Sequence, residues 1–355
     1  MKKLLLLFTF LTLAQFTFAQ QIKFNDSRVR YMGRIGMTDS AAVLPWSGSS
    51  VKVNFEGTGI SFATLDEKAD NYVLQILDGK MHGIIHDAKP NKITTTISGL
   101  TKGKHTLQLF KRTEWTMGKV FFYGFDVEGG KMLAAPKPAK RRMEFYGNSI
   151  TCGYAVLDTT GKDRGTSPYE DHYQSYAAIT ARHFNADYNC IARSGIGILI
   201  SWFPQTMPEM YDLLDPTDPK SKWDFKRYTP DLVVVNLFQN DSWLVNMKDH
   251  EQFKAKFGTT PPPAAIIISY YQDFIRSVRG KYPKAQIICA LGNMDATKAG
   301  SPWPKYIAQA VEGLKDQRIY THMFAYKNTS GHPNAKEQQA MAESLIAFID
   351  KKVKW

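Results

Sequence analysis

From residue 22 to residue 127 apolar and polar side chains alternate in short runs. Ser50-Val51-Lys52-Val53-Asn54-Phe55 sets every second residue on one face. Gly57-Thr58-Gly59 interrupts the run, and Ile60-Ser61-Phe62-Ala63-Thr64-Leu65 takes it up again. A period of two belongs to a strand with one buried face. The pattern predicts strands over 50–55, 60–65, 72–77, 92–97, 105–110 and 120–127, with turn chemistry at Asp78-Gly79-Lys80 and over 99–103. Short strands at even spacing without helical periodicity predict an all-β antiparallel sandwich over 20–133.

The pattern changes beyond Gly129-Gly130 and Pro136-Lys137-Pro138. A short, proline-stiffened linker over 134–141 predicts two halves that pack together. Over 142–355 apolar runs alternate with segments of helical period. The predicted strands are 143–146, 188–192, 232–237 and 286–291, with a weaker one near Ile319. The predicted helices are 174–183, 264–281, 305–314 and 335–351. Such alternation predicts a three-layer α/β domain whose parallel sheet is covered on both faces. Its site then lies beyond the carboxyl ends of the strands.

Candidate chemistry falls at those ends. In Glu144-Phe145-Tyr146-Gly147-Asn148-Ser149 a strand stops at a glycine and hands Ser149 to the next segment. Far downstream, Ser330-Gly331-His332-Pro333 places His332 ahead of a helix expected to begin at the proline. A nucleophile and a base on one sheet edge predict acyl transfer, hence an esterase. The developing oxyanion then needs donors. The backbone amides of Ser149 and Gly195, the latter in Ala192-Arg193-Ser194-Gly195, and the Asn240 side chain stand at suitable strand ends. Trp243 and Trp202 are the predicted sugar-stacking residues, and Phe203 and Trp223 lie in segments of the same edge. Cys152 reads as a packed thiol and Asp171-His172 as structural. His183, His250 and His322 show no metal-ligand spacing, so neither a metal nor another cofactor is expected.

The blocks around Ser149, Gly195, Asn240 and His332 resemble, in order, those of the SGNH (GDSL) hydrolases. The preceding sandwich, the stretch Lys111-Arg112-Thr113-Glu114 and the run from Arg141 to Tyr154 resemble carbohydrate esterase family two. That resemblance implies a jelly-roll domain ahead of an SGNH domain. It also implies removal of O-acetyl groups from xylan, mannan or their oligosaccharides without a metal. Three positions depart from the family pattern. Asn148 replaces the usual Asp, Phe238 replaces a glycine, and Thr329 and Ser330 stand where an acid precedes the histidine. The expectation is therefore a Ser149–His332 dyad whose imidazole is oriented by a backbone carbonyl or the Ser330 hydroxyl. Asp241 is expected to make a loop hydrogen bond. The departures and the sandwich motivate one alternative, a glycan-binding protein with a decayed site; another keeps the esterase and changes its substrate to another acylated glycan.

Lys2 and Lys3 precede an apolar run from Leu4 to Leu13, and Thr17-Phe18-Ala19 offers small residues for cleavage. This predicts a signal peptide over 1–19, an exported protein in the periplasm or outside the cell, and no stable membrane insertion. The formal net charge is +12, or +10 once Lys2 and Lys3 leave. The basic residues are dispersed and accompany no nucleic-acid motif, so nucleic acid is not an expected partner. Three cysteines, Cys152, Cys190 and Cys289, two of them in apolar runs, argue against a disulfide framework. Oligomeric state leaves no mark in the sequence.

Overall fold

The computed structural model describes residues 21–355. The leader expected over 1–19 falls outside the described residues.

Two antiparallel sheets form the first half. One runs in the order Gly36–Met37, Ala42–Leu44, Val120–Glu128, Gly59–Asp66, Lys92–Ile97, with Gln21–Lys23 also paired to Val120–Glu128. The other runs Lys131–Met132, Ser50–Gly57, Gly103–Lys111, Val73–Leu77, Lys80–Ile85, with Arg30–Met32 on Ser50–Gly57. The inward residues of both sheets, among them Val51, Val53, Phe55, Ile60, Phe62, Leu107 and Phe125, share one core. This is the expected sandwich. The strand Lys80–Ile85 escaped the pattern because its early residues are exposed on a sheet edge, leaving little alternation to read. The turn before it was legible. Asp78 and Gly79 both take positive φ, 52° and 78°, which matches a tight hairpin turn.

The second half holds a five-stranded parallel sheet in the order Ala186–Ala192, Arg141–Gly147, Leu232–Asn236, Gln286–Leu291, Ile319–Met323. Alternation decides which face each side chain serves. Val233, Val235, Ile287 and Cys289 pack with helices Ala264–Lys281 and Trp303–Leu314. Leu232, Val234, Ile288 and Phe145 pack on the other side with helices Tyr176–His183 and Ala335–Lys352. Chain order across the sheet reverses beside Arg141–Gly147, the first of the parallel strands. A crevice opens at such a switch point, at the carboxyl ends of the strands.

The halves share cores. Trp46 joins one helical layer, and Leu74, Ile76 and Phe110 of the sandwich join the other. Arg34 crosses the boundary fully buried. It pairs with Glu144 at 3.0 Å and donates to the carbonyls of Tyr211 (2.7 Å) and Leu213 (2.8 Å). Glu144 also accepts from Tyr146, Tyr282 (2.9 Å) and Asn189 (2.9 Å). A buried pair satisfied on so many sides fixes one docking geometry, because a slipped interface would leave a charge unpaired. Trp223 lies here, 5.3 Å from the Arg34 guanidinium and buried, so its ring serves the domain boundary and not the active edge.

Candidate active site

The strand Arg141–Gly147 delivers Ser149 to the crevice through an abrupt turn. Gly147 is required there, since a Cβ on it would lie 2.0 Å from Thr151 Oγ1. Asn148 caps the four-residue helix Ser149–Cys152 by accepting from the Ile150 N–H (3.1 Å), and Gly153 ends it with φ 85°. Asn148 thus supplies the helix cap from the position where an Asp was expected. Cys152 is buried, its thiol pushed well up by burial and by the nearby Glu114 carboxylate. It is a packed group, as are Cys190 and Cys289; all three are free thiols.

His332 comes from the other end of the chain. Lys327 Nζ holds the preceding loop through the carbonyls of Thr329 (3.1 Å) and Ser330 (2.9 Å). The following helix starts at Ala335, where its periodicity predicts it, capped reciprocally by Asn334 and Glu337, and Pro333 lies ahead of the cap. His332 Nε2 lies 2.9 Å from Ser149 Oγ, and the Tyr154 ring packs on the imidazole at 4.3 Å.

The imidazole does not depend on a carbonyl or on Ser330. Asp163 takes that place, with Oδ2 2.9 Å and Oδ1 3.0 Å from His332 Nδ1, while Oδ1 also accepts the His332 backbone N–H at 2.8 Å. The expected dyad is corrected to a three-membered relay. Asp163 sits in the loop following the nucleophile helix, 169 residues from His332 in sequence. Asp158 holds that loop by accepting from Thr160 N (2.9 Å) and Oγ1 (2.7 Å) and from Arg164 N (2.8 Å) and Nη2 (2.9 Å). Arg164 in turn lies over the Tyr169 ring. Burial opposes ionisation of Asp163, but the hydrogen bonds from His332 outweigh it and hold the carboxyl below its ordinary value. The ionised carboxylate keeps a proton on Nδ1, so Nε2 faces Ser149 as an acceptor.

The oxyanion candidates Ser149, Gly195 and Asn240 follow the carboxyl ends of three neighbouring strands, Arg141–Gly147, Ala186–Ala192 and Leu232–Asn236. Among the described residues, the backbone N–H groups of Ser149 and Gly195 donate to no protein acceptor. Gly195 takes φ 84°, a conformation open to glycine; a Cβ there would lie 3.1 Å from Phe203. Asn240 is aimed by its neighbours. Its Oδ1 accepts the Trp202 indole N–H (3.0 Å) and its Nδ2 donates to the Ile196 carbonyl (2.8 Å), which leaves one N–H free. Asp241 accepts from the N–H groups of Ile198 (3.2 Å), Leu199 (2.7 Å) and Ile200 (3.0 Å), the loop role expected of it. Burial pushes its carboxyl up to about 6. Phe238, where a glycine was expected, takes φ 85°, the left-handed region that favours glycine, and packs on Tyr271 and Trp303.

Trp202 and Trp243 stand side by side, centroids 6.5 Å apart, and Trp202 is 38% exposed. Both indole N–H groups are engaged, since Trp243 donates to Asp295 (2.7 Å). Trp202→Phe keeps an aromatic face and removes the bond that orients Asn240. Its kcat on a small acetate ester should fall about tenfold, within the about 10²–10³-fold cost of losing an oxyanion donor outright. A raised KM on polysaccharide with kcat intact would instead make Trp202 only a sugar platform. His172 is buried away from solvent, its Nδ1 2.9 Å from the Thr151 carbonyl, and burial pushes it down to about 3, so it stays neutral. Among the described residues no group of three or more His, Cys, Asp or Glu is placed to hold a metal ion, and no helix is long and apolar enough to cross a membrane.

A serine, an imidazole and a carboxylate in line, at the carboxyl edge of a parallel sheet whose neighbouring strand ends carry Gly195 and Asn240, define the SGNH class of serine hydrolase geometry. The relatives narrow the class. The carbohydrate esterase 2 N-terminal family model matches residues 31–136. A solved family two carbohydrate esterase from Clostridium thermocellum, in complex with cellohexaose, superposes with a TM-score of 0.81 at 34% identity, over 92% of this chain and 99% of that one. The cellulase/esterase CelE of Acetivibrio thermocellus is 36% identical over 346 residues, 93% of this chain; this chain spans 40% of that relative's length. An acetylxylan esterase / glucomannan deacetylase of Cellvibrio japonicus is 27% identical over 324 residues, covering 86% of this chain and 85% of the relative. The chain belongs to carbohydrate esterase family two.

Proposed function

We propose that this chain is an exported serine esterase that removes O-acetyl groups from plant-type polysaccharide, such as xylan or mannan, or from derived oligosaccharides. The observation that carries the reading is the relay from Ser149 Oγ through His332 to Asp163. The family's named relatives, an acetylxylan esterase / glucomannan deacetylase among them, supply the substrate class. Export rests on the predicted leader.

Ser149 Oγ attacks the acetyl carbonyl carbon while His332 Nε2 takes its proton. The carbonyl oxygen, now negative, sits against the N–H groups of Ser149 and Gly195 and the free Asn240 N–H. Asp163 stabilises the imidazolium across Nδ1. The ester C–O bond breaks, His332 returns its proton to the departing sugar oxygen, and an acetyl group is left on Ser149. Water, deprotonated by the same imidazole, releases acetate and restores the serine.

A series of acyl chains on one leaving group tests the substrate half of the reading. Trp202 and Phe203 lie within 3.4 Å of where a Cβ on Gly195 would stand, so the oxyanion loop is backed by aromatic walls. Rates should fall steeply from acetyl to butyryl esters. A preference for the longer acyl group would point to a different ester. Asp163 beside His332 removes one of the motives for a decayed, binding-only site, the absence of an acid.

A further inference from the structure

The stretch Lys111–Glu114 ends the sandwich strand Gly103–Lys111, and the proposed reaction as described above does not use it. Its placement is unusual for a domain joint. Glu114 is 3% exposed and reaches into the hydrolase half. Its Oε2 accepts the Ser194 backbone N–H at 2.8 Å and faces Cys152 Sγ at 3.6 Å. One carboxylate oxygen of the sandwich therefore touches both the residue before Gly195 and the helix that begins at Ser149.

Glu114 is itself held firmly. Its N–H donates to Glu170, and its carbonyl accepts from the fully buried Lys111 ammonium at 3.0 Å. Two residues earlier, Arg112 donates to the carbonyls of Ser167 (2.8 Å) and Pro168 (3.2 Å), at the far end of the loop that presents Asp163. A single sandwich segment is thus tied to the loops on either side of the nucleophile.

We infer that Glu114 is a positioning residue for ester hydrolysis, through which the β-sandwich domain aims the Gly195 N–H of the hydrolase domain. The physical step is short. A backbone N–H bound to a fixed acceptor fixes its peptide plane, and the plane at Ser194 sets where the next N–H points. Oxyanion stabilisation depends steeply on that direction, because the donor must meet the oxygen of the tetrahedral state and not merely its ground-state carbonyl. On this inference the sandwich is part of the machinery of catalysis and not only a neighbour or a glycan-holding module.

The inference rests on the proposed serine esterase reading, so the test carries a control for it. Wild type, Glu114→Ala, Glu114→Gln and Ser149→Ala are compared on 4-nitrophenyl acetate and on acetylated xylo-oligosaccharide, with folding followed by circular dichroism and thermal melting. Glutamine keeps an oxygen that can accept the Ser194 N–H; alanine does not. For the folded Glu114→Ala variant kcat should fall by about 10–10²-fold with KM within about twofold, and Glu114→Gln should stay within about threefold of wild type. A purely structural role would lower the melting temperature and leave kcat per folded molecule unchanged, which would overturn the inference. A Gln variant as impaired as the Ala variant would also overturn it. Should the Ala variant fail to fold, Glu114→Asp withdraws the oxygen by one methylene and makes the same comparison. If Ser149→Ala turns over like wild type, the serine esterase reading itself fails; if only Ser149→Ala is impaired, the role of Glu114 fails and that reading stands.

Discussion

Replacing Ser149 with alanine should lower kcat for acetate release by about 10⁶-fold, the loss that removal of the nucleophile brings in other serine hydrolases. The expectation follows from the use of the hydroxyl. Its hydrogen-bond partner is His332 Nε2, so no structural contact is lost with it. A methyl group fits the space, and the cap from Asn148 to Ile150 does not involve the serine side chain. Melting temperature should therefore be preserved. Retention of polysaccharide in an affinity gel should also persist, because the oxyanion donors and the paired indoles remain. Activity and binding would then separate, which a binding-only protein cannot show.

The second large effect belongs to Asp163. Asp163→Asn preserves shape and removes the charge. Asparagine can present its N–H₂ to Nδ1, and the imidazole then carries its proton on Nε2, where it can no longer take one from Ser149. A comparable substitution in a serine protease costs about 10⁴-fold in kcat. Here the Asp163 side chain is 33% exposed, and water can partly replace it, so a loss of about 10²–10⁴-fold is expected with KM little changed. The sign of the pH dependence follows from the lowered carboxyl. The stabilisation of the ionised pair is complete above the ordinary carboxylate value and is lost as pH falls through the lower folded value. Around neutral pH Asp163 should add no titration of its own. Kinetics at pH 7 with the Asn variant check the magnitude.

Much of this was written in the chain, for reasons that can be stated. Ser149, Gly195 and Asn240 each follow a strand that is buried toward its carboxyl end, so position along the sequence translates directly into position on one sheet edge. His332 is marked by its glycine and proline neighbours and by the amphipathic helix behind it. The helix over 264–281 was legible to the residue, because Ile267, Tyr271, Phe274 and Val278 keep its buried face. Asp163 was not legible. It stands in a polar, glycine-containing loop with no period, and its distance from His332 in sequence hides their contact in the fold. A closer reading would have noted only that carboxylates follow the nucleophile helix. The same holds for Trp202 and Asn240, joined by one hydrogen bond, and for Glu114, whose role is visible only when the two domains are docked. Phe238 shows the converse: a residue type at odds with the left-handed backbone takes φ 85°, with aromatic packing from Tyr271 and Trp303 holding it there.

The most direct test of the central claim is to trap the acyl-enzyme. Wild type and the Asp163→Asn variant are mixed with 4-nitrophenyl acetate, quenched in acid within the first turnover and digested for peptide mass mapping, with acetylated xylan as the steady-state substrate in parallel. The account predicts an acetyl group on the peptide containing Ser149, formed more slowly in the Asn variant and absent from Ser149→Ala, with acetate release from xylan following the same order. Acetate release at the wild-type rate from Ser149→Ala, or turnover with the acetyl group on another residue, would contradict it.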